Sequence, residues 1–297
     1  MMNANLQPTI NLNNGVKMPQ LGLGVWKTPL QQTTAMVKTA LANGYVLIDT
    51  AKQYGNEAGV GQGIHEAIQD GITTRDQIFL TTKIFNGDQG DYDRVRRGFE
   101  GQLKNLQTDH VDLLLEHWPV DGKFNETWRA MEAILQDGQA RAIGVCNFDN
   151  GRMINLIDHA QVVPAINQIE FNPGILQRPI VDFCQQQGIQ LEAWSPLGNG
   201  KLLKNATIQK IADHHGKTTA QIELRWSLQH GLVVIPKTTH EQRMQENAAV
   251  FDFALTPTEM LMIDALDQKQ HAIWYDKFKW SGNPNGVDDY VATPDNW

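Results

Sequence analysis

The sequence predicts an α/β protein: a (β/α)8 barrel of eight parallel strands, each followed by a helix, with an N-terminal β-hairpin. Short apolar runs recur along the chain, amphipathic segments of helical length separate them, and no linker or shift of composition interrupts the 297 residues. Barrels of this kind commonly reach this length as one domain. We therefore expect residues 1–297 to form a single barrel domain.

The hairpin is the first predicted element, because two short β-type runs flank an Asn-Asn-Gly turn in TINLNNGVKMP. The barrel strands follow it. Runs that are apolar without alternation are typical of parallel strands buried on both faces. In chain order these runs are QLGLG, YVLID, QIFLTTK, VDLLLEH, ARAIGV, VPAINQI, IQLEAW and LVVIP.

The segments between the runs carry the end signals of helices. QQTTAMVKTALANG stops at Asn-Gly, and DYDRVRRGFEGQLKNLQT starts with acidic residues. A glycine ends each of NETWRAMEAILQDG, RPIVDFCQQQG and TTAQIELRWSLQHG just before the next strand. A doubly wound sheet is disfavoured, because neither GLGVWK nor GVGQGIHEAI provides a phosphate-binding GxGxxG between a strand and a helix.

Charge and cysteine content restrict the class of protein. A net charge of -8 disfavours nucleic acid and anionic membranes as partners. The two cysteines, Cys146 and Cys184, form no CxxC or CxH motif, so we expect neither disulfides nor a metal site. The N-terminus lacks the pattern of a signal peptide, and no apolar run approaches the ~18 residues of a membrane span. These features indicate a cytoplasmic protein.

Polar residues stand at the ends of five predicted strands. Asp49 follows YVLI, Lys83 follows IFLTT, His117 follows VDLLLE, Asn147 follows AIGVC, and Gln168 follows VPAIN. Singly, each has an ordinary structural explanation, such as a helix cap, a solvated strand end or a hydrogen-bonded histidine. Because catalytic residues of barrel enzymes lie at the carboxyl ends of strands, their shared placement predicts one functional site.

The stretch LIDTAKQYGNE adds Tyr54 to this group. A phenol titrates near pH ~10, and a neighbouring ammonium lowers its pKa, each pKa unit being worth ~1.4 kcal/mol. Lys83 is the candidate ammonium, and Asp49 the carboxylate that keeps it charged. His117 could orient a carbonyl oxygen, so that the site protonates an alkoxide as it forms. A hydride from a bound nicotinamide fits as the attacking group, whereas Lys52 is predicted to be a solvent-facing loop charge.

The chain resembles the aldo-keto reductases from MPQLGLGVW to ENAAVFDF. The matching blocks are LIDTAKQYGNE, LTTKIFN, LLLEHWP, GVCNF, INQIEFNP, LEAWSPLG and VIPKTTHEQRMQEN. This resemblance implies a barrel enzyme that reduces aldehyde or ketone carbonyls with NADPH, mostly cytosolic and often monomeric. It also implies a catalytic tetrad of Asp49, Tyr54, Lys83 and His117, with Tyr54 as the general acid. The blocks look most like bacterial members that reduce diketo-gluconates, methylglyoxal and other aldehydes.

The resemblance further implies residues that bind NADPH. Asn147 and Gln168 would bind the carboxamide of the nicotinamide, and Trp194 would stack on its ring. The residues implied beneath the pyrophosphate are Ser195, Leu197 and Gly198. Those implied around the adenosine are Lys237, Thr238 and Arg243 for the 2′-phosphate, and Glu246 and Asn247 for the adenine.

The barrel architecture independently supports the predicted adenosine site, because phosphate groups commonly bind at the loop after the last strand and the start of the next helix. The alternative is that Lys237 and Arg243 are ordinary solvated charges. Four positions depart from the common pattern: Cys146 stands where serine is usual, Glu116 replaces an apolar residue, Phe85 stands where tryptophan is common, and His240 replaces an arginine of many bacterial members.

Aromatic residues at or beyond the strand ends predict a pocket for the carbonyl substrate; they are Trp26, Phe85 and Trp118. The tail carries Trp274, Tyr275 and Trp280 and is predicted to form a C-terminal loop over the barrel mouth. An alternative function is that of a cofactor-binding regulatory or scaffold protein on the same fold. The intact tetrad favours the enzyme.

Overall fold

Eight parallel strands form a barrel in the order of the chain, as the apolar runs predict. The structure, a computed structural model, describes residues 7–269. An antiparallel hairpin of β1 (Thr9–Asn11) and β2 (Lys17–Pro19) precedes the barrel. The barrel strands are β3 (Gly22–Gly24), β4 (Leu47–Asp49), β5 (Phe79–Ile84), β6 (Val111–Glu116), β7 (Ala140–Cys146), β8 (Ile166–Glu170), β9 (Gln190–Trp194) and β10 (Val233–Val234).

The first and last strands meet and close the barrel. Leu21 forms a parallel bridge with Val234, and the Gly24 amide donates to the Pro236 carbonyl at 3.2 Å. A Cβ atom on Gly24 would lie 2.9 Å from the carbonyl oxygen of Ile235. Glycine is therefore required at position 24, the second glycine of GLG, because two backbones approach closely where the first and last strands meet.

Helices follow the strands on the outside of the barrel. Those of the described residues are α1 (Leu30–Ala42), α2 (Glu57–Gln69), α3 (Tyr92–Leu106), α4 (Phe124–Gln136), α5 (Asn150–His159), α6 (Arg178–Gln186), α7 (Ala206–His215), α8 (Thr219–Gln229), α9 (Glu241–Ala248) and α10 (Pro257–Asp264). The predicted glycine stops are confirmed, because Gly44, Gly138, Gly188 and Gly231 all have positive φ. The acidic start of α3 is also confirmed, because the Asp91 side chain accepts from the Arg94 amide.

The barrel separates two apolar layers. The inner layer fills the barrel and includes Leu47, Leu113, Ile166 and Val233. Leu12 and Met18, in and beside the hairpin, belong to this layer, so the hairpin covers the amino-terminal end of the strands. The outer layer packs the strands against the helices; among its largest members are Phe99, Trp128, Phe148 and Trp226. The carboxyl ends of the strands remain for a site.

The predicted C-terminal loop, with Trp274, Tyr275 and Trp280, lies outside the described residues. Within residues 7–269, no helix combines the length and the apolar character that crossing a membrane requires.

Candidate active site

A buried ion pair lies at the carboxyl ends of β4 and β5. The Lys83 ammonium donates to both carboxylate oxygens of Asp49, at 2.7 and 2.8 Å, and to the Thr50 carbonyl at 3.0 Å. Neighbouring parallel strands bring the two residues together, as their strand-end positions predict. Burial by itself lowers the pKa of Lys83, but the Asp49 carboxylate, with smaller contributions from Tyr54 and Cys146, outweighs burial and raises that pKa above its usual value. Lys83 is therefore a fixed cation at the barrel mouth.

The Tyr54 hydroxyl lies 3.3 Å from the Lys83 ammonium. Tyr54 ends a single turn of 3-10 helix, Lys52–Tyr54, that follows β4. Burial raises the pKa of the phenol above its usual value, and Lys83 opposes that rise. The predicted direction of the lysine effect is thus correct, but desolvation exceeds it. The phenol is neutral at physiological pH, and a phenolate formed there would have an ammonium beside it.

The His117 imidazole faces the same end of the barrel from β6. Its ring meets the Tyr54 ring edge-on, with 5.8 Å between centroids, and stacks on Trp118 at 6.0 Å. Burial, and then the charge of Lys83, lower the pKa of His117 well below its usual value. The Nδ1 atom is buried without a hydrogen-bond partner among the described residues. His117 is therefore a neutral imidazole that can donate one N–H.

The amide side chains after β7 and within β8 join the site. The Asn147 amide nitrogen donates to the His117 carbonyl at 3.2 Å, and its oxygen accepts from the Trp194 indole at 2.8 Å. Asn147 and Ser195 both have positive φ, 63° and 49°, just beyond β7 and β9. Asparagine tolerates this conformation, whereas serine seldom adopts it. Backbone strain of this kind concentrates at functional sites.

A cleft of about 450 Å³ opens above these residues. The predicted site residues in its wall are Asp49, Tyr54, His117, Asn147, Gln168, Trp194, Ser195, Leu197, Lys237, Arg243, Trp26 and Trp118. Lys83 lies beneath the wall through its contacts with Asp49 and Tyr54. Two lines of sequence reasoning thus lead to one cavity: the placement of catalytic residues at the carboxyl ends of strands, called here the strand-end rule, and the motif blocks.

Other predicted residues are not part of the wall of this cleft within residues 7–269. Phe85 is half-buried just after β5, Gly198 begins a 3-10 turn, and Thr238 accepts from the His240 amide at 3.1 Å. Glu246 and Asn247 lie in α9. Their contacts with a ligand stay predictions.

The structure also decides two smaller questions left by the sequence, the contacts of Lys52 and the direction of Glu116. Lys52 forms an ion pair with Asp88 at 2.6 Å, and the lysine that contacts the Tyr54 hydroxyl is Lys83, as predicted. Glu116 pairs in register with Ile84 and Val145, which belong to the outer layer, so it faces away from the imidazole of the next residue. Both of its carboxyl oxygens are buried without partners among the described residues, and burial raises its pKa well above the usual value.

Two charged residues in or beneath the site were not predicted from the sequence. Lys27 lies in the cleft wall with its ammonium 4.4 Å from the centre of the Trp26 ring, and burial followed by Lys237 lowers its pKa. Lys27 directly follows the run GLGVW, so the strand-end rule could have identified it from the sequence. Glu192 lies in the barrel against Gln168. A charged residue within an otherwise apolar strand was the available signal.

Comparison with known proteins gives consistent matches. The model of the aldo/keto reductase family matches residues 18–268. Glyoxal reductase of Bacillus subtilis is 47% identical over 270 residues, covering 91% of this chain and 96% of that protein. Methylglyoxal reductase DkgA of Salmonella typhimurium is 44% identical over 266 residues, covering 88% and 94% respectively.

A solved structure extends the likeness to the fold. The Bombyx mori aldo-keto reductase in complex with NADP superposes with a TM-score of 0.87 at 35% identity, and the match covers 93% of this chain and 99% of that one. Family model, relatives and fold agree over nearly the whole described part of the chain. The chain therefore belongs to the aldo/keto reductase family of oxidoreductases.

Proposed function

We propose that the protein reduces aldehyde and ketone carbonyls to alcohols with NADPH, and that Tyr54 is the general acid. The observation that carries this proposal is the convergence of a phenol, a buried ammonium and a neutral imidazole at the floor of one cleft. Lys83 stands 3.3 Å from the Tyr54 hydroxyl, and the His117 ring meets the tyrosine ring edge-on. A carbonyl oxygen between Tyr54 and His117 would meet two donors.

The residues of the cleft fit the proposed cofactor. Lys237 and Arg243 supply two cations in an acidic protein, as the phosphates of NADPH require. Within residues 7–269, the contact of the Gln168 amide oxygen is a long one, 3.8 Å from the Cys146 sulfur, and the oxygen retains acceptor capacity for a carboxamide N–H. Trp194 is half-buried in the wall and offers a ring for stacking. When bound, NADPH supplies the hydride that reduces the carbonyl carbon.

The chain's own residues then manage the proton. Tyr54 donates its hydroxyl proton to the carbonyl oxygen as negative charge develops there. The phenolate left behind lies beside Lys83, whose charge Asp49 holds in place. His117 donates its N–H to the same oxygen and so fixes the direction of the carbonyl. The apolar bodies of Trp26 and Trp118 exclude water from this part of the cleft.

The proposed substrates are small aldehydes and α-dicarbonyls. This class is supported by the names of two relatives, a glyoxal reductase and a methylglyoxal reductase. We further propose a cytoplasmic monomer. The free thiols of Cys146 and Cys184, both buried, are compatible with a reducing compartment.

The test follows NADPH absorbance over a panel of aldehydes and α-dicarbonyls, and compares the wild type with Tyr54→Phe. The variant should retain NADPH affinity and lose roughly 10³-fold in kcat, because the proton donor is removed and the ring is kept. Tyr92→Phe, on α3, is the matched control and should have normal turnover. Unchanged turnover of Tyr54→Phe would refute the assignment of the acid, and NADPH binding without turnover on any carbonyl would refute the enzyme.

A further inference from the structure

Glu192 is a fully buried carboxyl group directly beneath the proposed site. It occupies the middle of β9, in register with Gln168 on β8 and with Val233 on β10. Val233 and Ile166 belong to the inner apolar layer, so Glu192 lies within the barrel and not against the helices. The proposed proton transfer uses no contact of this residue.

The contact of Glu192 is with the side-chain amide of Gln168. The Gln168 nitrogen donates to Glu192 Oε2 at 2.8 Å and to Asp49 Oδ2 at 2.9 Å. An amide nitrogen has two N–H groups, and both are used here. The reverse orientation of the amide would set its oxygen against the Asp49 carboxylate that pairs with Lys83. Two carboxyl groups thus fix which end of the amide faces the barrel floor.

The Gln168 oxygen consequently points away from both carboxyl groups. Its contact is the Cys146 sulfur, at 3.8 Å, which is too long for a strong hydrogen bond. Gln168 itself forms part of the cleft wall. An amide held by both hydrogens, with a long thiol contact at its oxygen, is suited to accept an N–H from a ligand in the cleft.

Stability alone does not account for a carboxyl group at this position. Glu192 Oε1 is buried without a partner among the described residues. Burial, and then the nearby Asp49, raise the pKa of Glu192 to about 8, so the group is mainly protonated at neutral pH. An apolar side chain of the same volume would avoid the cost of burying this group. The remaining explanation is its polar contact within the described part of the chain, and that contact orients Gln168.

We propose that Glu192 is a positioning residue that holds the Gln168 amide so that its oxygen accepts an N–H from the nicotinamide carboxamide. The inference rests on the proposed function, because it takes NADPH as the ligand of the cleft. Glu192 does not touch the cofactor in this account. It acts through Gln168, in concert with Asp49.

The experiment compares Glu192→Met with Glu192→Gln and measures the Kd for NADPH by fluorescence titration, kcat with a dicarbonyl, and Tm. Glu192→Met removes the acceptor at similar volume and should raise the Kd about tenfold, equivalent to ~1.4 kcal/mol, with Tm unchanged or higher. Glu192→Gln keeps an oxygen for Gln168 and should stay within about twofold of the wild type. Rescue by glutamine with no loss of Tm separates positioning from a merely structural role.

Two further variants make the result decisive. Glu223→Met removes another buried carboxyl group, on α8, and should leave the Kd unchanged. In a Gln168→Met background, Glu192→Met should have no further effect on the Kd, because its intermediary is gone. An unaltered Kd in Glu192→Met, or equal losses in both Glu192 variants, would overturn the proposal for Glu192 alone. A wild type that fails to bind NADPH would instead overturn the proposed function.

Discussion

The buried pair of Asp49 and Lys83 should show strong energetic coupling, and a double-mutant cycle tests this. The variants are Asp49→Asn, Lys83→Met and the double mutant. Asp49→Asn leaves the ammonium with the Thr50 carbonyl and the Tyr54 hydroxyl but without a charge partner. Lys83→Met leaves the Asp49 carboxylate with the Gln168 amide as its side-chain partner among residues 7–269. Each single variant therefore buries an uncompensated charge, and the double mutant buries none.

The magnitude follows from the burial of the pair. The side chains of Lys83 and Asp49 are 0% and 2% exposed. Removing one partner of a buried ion pair costs about 3–5 kcal/mol, whereas removing both often costs little more or even less. If each single variant costs about 4 kcal/mol and the double variant about 5, the coupling energy is about 3 kcal/mol.

The assay is urea unfolding at pH 7, followed by tryptophan fluorescence, with the free energy of unfolding taken for all four proteins. The matched control is the exposed pair of Lys38 and Asp70, whose side chains are 32% and 55% exposed at a separation of 2.8 Å. The same cycle there should give a coupling close to zero, because water screens the charges. A coupling for Asp49 and Lys83 no larger than that of the control would refute the reasoning.

Three further predictions concern the stability of the fold and the choice of cofactor. Burial raises the pKa of Glu223 to about 8, so the stability associated with this group is present below pH ~4.5 and is lost as the pH rises to 8. In urea unfolding at pH 7, the free energy of unfolding of Glu223→Gln should therefore be ~3 kcal/mol higher than that of the wild type. Equal free energies at pH 7 would contradict this. Gly61→Ala would place a Cβ 2.5 Å from the Asn105 carbonyl oxygen and should lower the free energy of unfolding by roughly 3 kcal/mol. The control Gly101→Ala has open space around the new Cβ and should be neutral or stabilising. Similar unfolding midpoints for the two variants would contradict this. Arg243→Ala should raise the Kd for NADPH roughly tenfold and spare NADH, and equal losses would mean that the 2′-phosphate is bound elsewhere.

Much of the barrel could be predicted because its physical signals are local. Continuously apolar runs and glycine stops depend on neighbouring residues, and they locate strands and helices without knowledge of the rest. The strand-end rule then joins distant residues, since parallel strands deliver Asp49, Lys83 and His117 to one rim. The contact between Lys83 and Tyr54 follows from this geometry, and so does the exclusion of Lys52.

The sequence predicts less where a side chain can point to either face of a strand, or where burial and charge shift a pKa in opposite directions. A strand that is apolar on both faces does not reveal which way a carboxyl group points, so the outward Glu116 and the inward Glu192 could not be told apart. The pKa of Tyr54 depends on burial against the charge of Lys83, and that balance requires distances. The two bonds of Gln168 join β8 to β4 and β9, which no short motif records.

The apolar filling of the barrel determines how the site exchanges protons with water. Leu47 and Leu113 lie in the inner layer, and Leu12 and Met18 close it at the hairpin end, so apolar side chains lie beneath the charged groups. In the proposed reaction, a proton lost by Tyr54 would therefore be replaced through the mouth, which cofactor and substrate would fill during turnover. Reprotonation would then belong to the stage of product release, with one proton entering for each alcohol that leaves. A solvent isotope effect would report on the opening of the cleft as much as on the transfer itself.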